Sequence, residues 1–249
     1  MMKKILLASL LLSTVYLAQA QDNASTKKKT DWSKLDLSNR ANDHFMIQFG
    51  YDGWVNAPDS ANPSGFNRHF NMYFMLDKPF KTDPRFSLGF GLGAGSSNIY
   101  FKNTIIGMQS NSSTLAFTDV SGSNHYKKYK LTTIFLEAPL EFRYVSDPLN
   151  SDRSFKIAVG MKLGYLLNAY TKGKNYQDQT GASIYGTSYK QKDYNKNYFN
   201  TTKAAATLRV GYGHFSLDGS YQLTTVLKSS ASTGGAINPY SIGLTLSGL

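Results

Sequence analysis

The chain has 249 residues, no cysteine and a formal net charge of +11. That length admits one large all-β domain or two smaller ones, and the missing cysteines exclude both a disulfide framework and a lipoprotein attachment thiol. The basic balance favours anionic glycolipid, glycan or cell-surface polymer over nucleic acid as partner, with a solvated lysine-rich surface as the plainer alternative.

Residues 1–20, MMKKILLASLLLSTVYLAQA, read as a cleaved signal peptide. Lys3 and Lys4 form its basic region, Ile5 to Leu17 its apolar stretch and Ala18-Gln19-Ala20 its cleavage site. The leader carries two lysines and no acid, so +9 remains on the mature chain. Residues 21–43 are polar and aperiodic, a flexible periplasmic lead-in. Beyond residue 20 no apolar run approaches the ~18–20 residues of a spanning helix, so a membrane position requires a barrel.

From residue 44 onward, apolar and polar residues alternate with a period of two, the signature of strands. HFMIQFGYDGWV (44–55) sets Phe45, Ile47, Phe49 and Tyr51 against Gln48, Gly50, Asp52 and Trp54. HFNMYFMLD (69–77) and FSLGFGLGAG (86–95) follow, the second with Gly89, Gly91, Gly93 and Gly95 on one stripe. LTTIFLEAPLEFRYV (131–145) opposes Leu136, Leu140 and Phe142 to Glu137, Glu141 and Arg143. FKIAVGMKLGYLLNAY (155–170) opposes Val159, Met161 and Leu163 to Lys156 and Lys162. KAAATLRVGY (203–212), HFSLDGSYQLTTVL (214–227) and YSIGLTLSGL (240–249) complete eight segments of barrel-spanning length. The connections alternate long and short: 56–68, 78–85, 102–130, 146–153, 173–199, Gly213-His214 and 228–239. Short periplasmic turns and long outer loops produce that rhythm in outer-membrane barrels, and a soluble sandwich has no reason for it.

The expected fold is all-β: an eight-stranded antiparallel up-and-down transmembrane barrel over residues 44–249. An eight-stranded barrel only just holds side chains, so the aromatic and branched faces belong in lipid and the small and charged faces inside. The inward set holds Asp52, Asp77, Glu137, Glu141 and Asp218 against Arg143, Lys156, Lys162, Lys203 and Arg209, a balance of signs that a confined polar core requires. Pairing residues 131–145 with 155–170 at a register summing to about 299 puts Glu137 opposite Lys162 and Glu141 diagonal to Lys156. A Tyr212–Phe215 pair across Gly213-His214 puts Arg209 opposite Asp218. Tyr73 is expected over the glycine stripe, Trp54 within the lumen, and a bulge or local break at Pro139, which cannot donate to a ladder.

With its leader, its meander and the segment LEAPLEFRY (136–144), the chain resembles the PorT-like outer-membrane β-barrel family of Bacteroidota. The resemblance implies a small OmpA/OmpX-like barrel in the cell outer membrane, and some members of that family are linked to protein secretion. Outer-membrane lipid, lipopolysaccharide and a secretion or envelope protein are then the expected partners, and nucleic acid is not.

No chemistry-bearing motif is present. The G-x-G-x-x-G spacing fails in GFGLGAG, and His44, His69, His125 and His214 are scattered. A loop set of His125, Asp119 and Ser123 matches no hydrolase pattern. We therefore expect no enzyme, cofactor or metal. Surface candidates for glycolipid or glycan contact are Lys127, Lys128, Lys174, Lys190, Lys192 and Lys196 with Tyr189 and Tyr194. A solvated strand extension above the bilayer, girdled by tyrosines, is the plainer reading of the same residues. The function expected is a structural or surface-interaction barrel with a filled lumen; a narrow passive diffusion channel is the alternative and a barrel enzyme the third.

Overall fold

The computed structural model describes residues 45–61, 63–232 and 235–248. The expected leader and lead-in lie outside the described residues. The described residues form eleven strands: β1 (Phe45–Val55), β2 (Arg68–Pro79), β3 (Phe86–Phe101), β4 (Thr104–Ile106), β5 (Phe117–Asp119), β6 (His125–Val145), β7 (Phe155–Gln177), β8 (Lys190–Tyr194), β9 (Thr202–Tyr212), β10 (Phe215–Gln222) and β11 (Asn238–Ser247). The order β6-β3-β2-β1-β11-β10-β9-β7 closes on itself through β6–β7 pairing, so eight strands form a closed antiparallel meander. β8 continues the sheet beside the outer half of β7, and β4 pairs with β5 in a separate hairpin.

The wall is inverted relative to a soluble core. Leu163 is 53% exposed and Val159 55%, while Lys162, between them in sequence, is 5% exposed. Phe70, Phe74, Leu92, Leu140, Phe142, Leu217 and Leu244 extend the same outward apolar belt round the barrel. Closure leaves no spanning strand with an unpaired edge, which hydrocarbon demands of a backbone.

Two hairpins show how turns set register. Gly213 takes a φ of +60° in the two-residue β9–β10 turn, and Tyr212 pairs Phe215 with Arg209 opposite Asp218, as expected. The β6–β7 pairing differs by two residues from the expected one: it sums to 301, so Glu137 faces Gly164 and Lys162 faces Pro139. A 3-10 turn at Ser151–Arg153 is the reason. Its following residue, Ser154, donates to the carbonyls of Asp147 and Asn150, and the hairpin closes with Ser146 against Phe155. A two-residue shift preserves parity, so no side chain changes face.

Pro139 keeps its register on β7, and the ladder to β3 is interrupted there instead, between the Phe90–Leu140 and Gly93–Glu137 pairs. The break needs no bulge because the missing donor only empties one rung. The bulge lies higher, at Ile134/Phe135, where β7 carries an extra residue. At that level β7 exchanges partners: β9 pairs it up to Tyr165, and β8 from Tyr170 outward. β6 and β7 run 21 and 23 residues, about twice the 9–11 that cross a bilayer. Their outer ends therefore stand above the membrane: residues 173–177 as the strand extension that the plainer sequence reading gave, and residues 125–130 as strand where it placed a loop.

Candidate functional site

Three layers stack along the barrel: a charged lumen, an apolar cap above it, and a lysine-covered face on the outer strand extensions. In the lumen, Glu137 of β6 is the central acceptor. Lys203 Nζ donates to its Oε1 at 2.6 Å, Lys162 Nζ lies 3.9 Å from Oε2, and the Tyr73 hydroxyl donates to Oε2. Gly164 stands between Glu137 and Lys203 in the strand row, and its missing side chain lets them meet. Lower down, Glu141 Oε2 accepts from Arg143 Nε and Arg209 at 2.8 Å each, and Arg143 also reaches Asp77 at 3.5 Å. Uncharged side chains link the layers: Asn71 donates to Gln48, Gln48 to Thr245, and Thr245 to Asp218. Asp52 accepts from Ser97 and holds His69 Nδ1 at 2.8 Å.

The glycine stripe on β3 makes this filling fit. A Cβ at Gly89 would lie 2.4 Å from Arg143 Nε, at Gly91 2.4 Å from Met75 Sδ, at Gly93 2.6 Å from the Tyr73 ring and at Gly95 2.9 Å from Glu137. Tyr73 and Met75 are almost fully buried as a result. Three chambers inside the wall measure about 60, 30 and 10 Å³, and a single water occupies roughly 10–15 Å³ by the same measure.

Above the lumen the outer connections fold together into an apolar cluster. Ala61, Ile106, Met108, Leu115, Phe117, Tyr198, Phe199, Leu227, Ala231 and Ile237 pack with Ile99, Tyr129, Leu131 and Leu166 of the wall. Trp54 sits at the boundary: it lines the upper lumen chamber with Asp52 and Glu137, and its ring packs under the cap, 5.7 Å from Phe101 and 6.3 Å from Phe117. Backbone bonds knit the loops, Leu115 N–H to Ala231 O at 2.9 Å and Asn200 N–H to Val226 O at 3.0 Å. The sequence reading missed this cap. Ile105, Ile106, Met108, Leu115 and Phe117, in a segment taken as an outer loop, were its signal.

On the outward side of the strand extensions, Lys130 of β6 pairs Lys172 of β7, which pairs Lys192 of β8. One step outward, Lys128 pairs Lys174, which pairs Lys190. Six lysines thus form two rows of three on one face. Arg68 stands beside them: its guanidinium lies 5.2 Å over Tyr100, whose other cation, Lys130, is 5.8 Å away and donates to Asn98 at 2.6 Å. Lys192 lies 5.5 Å over Tyr170, which packs on Tyr194. A groove of about 770 Å³ runs along part of this face, and none of its lining residues is Asp or Glu.

Of the surface candidates, the structure brings Lys128, Lys174, Lys190 and Lys192 together, with Tyr194 at their foot. Lys127 lines the groove beside them. Lys196 follows β8 outside the rows, and Tyr189 bonds to Gln191, between the two β8 lysines in sequence and on the alternate face. Arg68, Lys130, Lys172, Tyr100 and Tyr170 were missed. A Lys-x-Lys pair recurring in three segments, 128–130, 172–174 and 190–192, could have found the rows. Of the lumen candidates, Glu137 and Lys162 are diagonal neighbours, not opposite ones. Glu141 takes Arg143 and Arg209 in the place expected for Lys156, which sits opposite Val145 at the periplasmic end. Arg209 faces Asp218 along the backbone, yet its guanidinium turns to Glu141 and Ser247. The loop set does not assemble a relay: His125 bonds the Ser123 carbonyl, and Asp119 accepts from the Ser121 N–H.

No curated protein is matched by this sequence. Among solved structures, the chain is similar to the attachment invasion locus protein Ail of Yersinia pestis, at 13% identity and a TM-score of 0.32 over 83% of this chain and 99% of that one. It is also similar to Ail in complex with the heparin analogue sucrose octasulfate, at 12% identity and a TM-score of 0.34 over 82% and 95%. A family model for the outer membrane protein beta-barrel domain matches residues 19–225. With the closed, lipid-facing wall described above, the chain belongs to the outer-membrane β-barrel domain family and is a small barrel of the outer membrane.

Proposed function

We propose that this barrel has a structural and surface-interaction role, exerted from its outer face over a lumen that passes no solute. What carries the reading is the double seal. Balanced ion pairs and Tyr73 fill the lower lumen, and an apolar cap closes the upper mouth. The lumen charges act structurally, each acid satisfied by cations or hydroxyls from neighbouring strands. A diffusion channel would need a continuous aqueous path, and the separate chambers hold only a few waters each. Planar-bilayer recording tests this: the purified barrel should give no steady conductance, and a large steady conductance would overturn the closed-lumen reading.

The finer assignments rest on the sequence. The resemblance carried by LEAPLEFRY implies a PorT-like relationship within Bacteroidota, a family of which some members are linked to protein secretion. Pull-down from native outer membranes should then recover an envelope or secretion protein, and recovery of lipid alone would remove that assignment. Export through a cleaved leader predicts a mature N-terminus at Gln21, read by N-terminal sequencing.

A further inference from the structure

Among the described residues, no acid forms an ion pair with the lysine rows. Like charges placed directly opposite across a ladder cost stability, and four such pairings occur here side by side: Lys130–Lys172, Lys172–Lys192, Lys128–Lys174 and Lys174–Lys190. In the lumen, by contrast, Glu137 and Glu141 each meet two cations. Beside the rows, the nearest acid on β8, Asp193, has alternate parity: it pairs Thr171, a buried residue of the inner face, and accepts from Gln191. Neighbouring lysines of a row are about 4.8 Å apart across the strands, and the rows about 7 Å apart along them. Six lysines are therefore rooted in a patch of backbone roughly 10 Å by 7 Å.

Position decides what neutralises them. The rows continue the lipid-facing side of the wall. On β2, Phe70, Met72 and Phe74 face lipid and Arg68 is the next outward residue in line. On β7, Tyr170 and then Lys172 and Lys174 follow the apolar belt. Tyr170 and Tyr194 pair one step below the inner row and Tyr100 pairs Lys130 within it, where amphipathic rings mark a membrane interface. The inner row is thus at headgroup level and looks sideways into the leaflet, away from the distal tip.

We propose that the two lysine rows bind the headgroup of an outer-leaflet glycolipid that carries more than one phosphate, holding it against the barrel wall. The proposal rests on the reading of the chain as a barrel acting through its outer face. Lysine ammonium groups meet phosphate as point charges with three donors each, and two rows at different heights suit a headgroup with anions at more than one depth.

The test uses the full chain refolded into phosphatidylcholine nanodiscs containing a small fraction of bisphosphorylated lipid A, with retained lipid counted by native mass spectrometry. Bisphosphorylated lipid A should be retained at least tenfold over its dephosphorylated form. The triple variant Lys130→Gln, Lys172→Gln, Lys192→Gln should lose that preference, while gel mobility without boiling reports an intact barrel. Raising the salt to about 0.5 M should weaken retention, as screening requires. Equal retention of the dephosphorylated lipid, or a triple variant that retains lipid A like the parent, would overturn the proposal. So would row-dependent binding of a soluble sulfated oligosaccharide without lipid A retention, since the occupant would then be a free polyanion. None of these outcomes bears on conductance, so the closed-lumen reading stands or falls separately.

Discussion

Inside the wall, charges of opposite sign meet at 2.6–2.8 Å with little access to water. On the outer extension, charges of one sign are ranked opposite one another, four of the six exposed and Lys130 and Lys172 half-buried. The contrast separates two uses of charge by one sequence. Lumen residues complete one another and hold the barrel shut. Outer-face residues are left incomplete, and their complement lies outside the chain. Stability should therefore respond with opposite signs to the loss of charge in the two places.

The largest expected loss comes from stranding lumen cations. Glu141→Leu leaves Arg143 and Arg209 without their shared carboxylate, and unfolding from phospholipid vesicles in guanidinium should lose ~3–5 kcal/mol. In the cap, Phe199→Ala opens a cavity among residues that are nearly inaccessible, and should cost ~3–5 kcal/mol if the cap unfolds with the barrel. A loss under ~1 kcal/mol would make the cap an independent unit. Gly93→Val tests how tightly the lumen is filled. Its Cβ would lie 2.1 Å from the Met72 carbonyl, so overpacking of ~1–3 kcal/mol is expected in the same assay.

The smallest effect belongs to a periplasmic turn. The Asn150 amide, then the Leu149 N–H, hold the Asp147 carboxyl below the usual carboxylate range. The contribution is present above the unfolded value and lost as pH falls through the lowered folded one. The Leu149 amide shift should titrate with a midpoint below that of an unstructured Asp, and a midpoint at or above it would contradict the turn geometry.

Parity was legible in the sequence because a strand in lipid alternates between bulges: Glu137, Glu141, Arg143, Lys162, Arg209 and Asp218 are all buried, and Lys156, half-buried, shares the parity of Lys162 on β7. The β9–β10 register was legible too, since a two-residue turn leaves no freedom. The β6–β7 register was not: residues 146–154 conceal a 3-10 turn whose closure depends on Ser154 and Asp147 side chains rather than on loop length. The strand extension of 173–199 was the plainer reading of that segment, but its continuation over 125–130 was taken as loop, because only Tyr129 and Leu131 of its inner face are apolar and large while Lys128 and Lys130 are polar. The cap escaped because its apolar residues come from four separate loops and share no period.

One pair of variants puts the central contrast to the most direct test: Lys203→Met and Lys172→Met, the same chemical change inside the wall and on its outer face. Guanidinium unfolding from zwitterionic vesicles should show Lys203→Met destabilised by about 3 kcal/mol, because Glu137 loses its closest cation. Lys172→Met should be unchanged or slightly more stable, by up to ~1 kcal/mol, because two like-charge contacts disappear. Equal losses in the two variants would contradict the account.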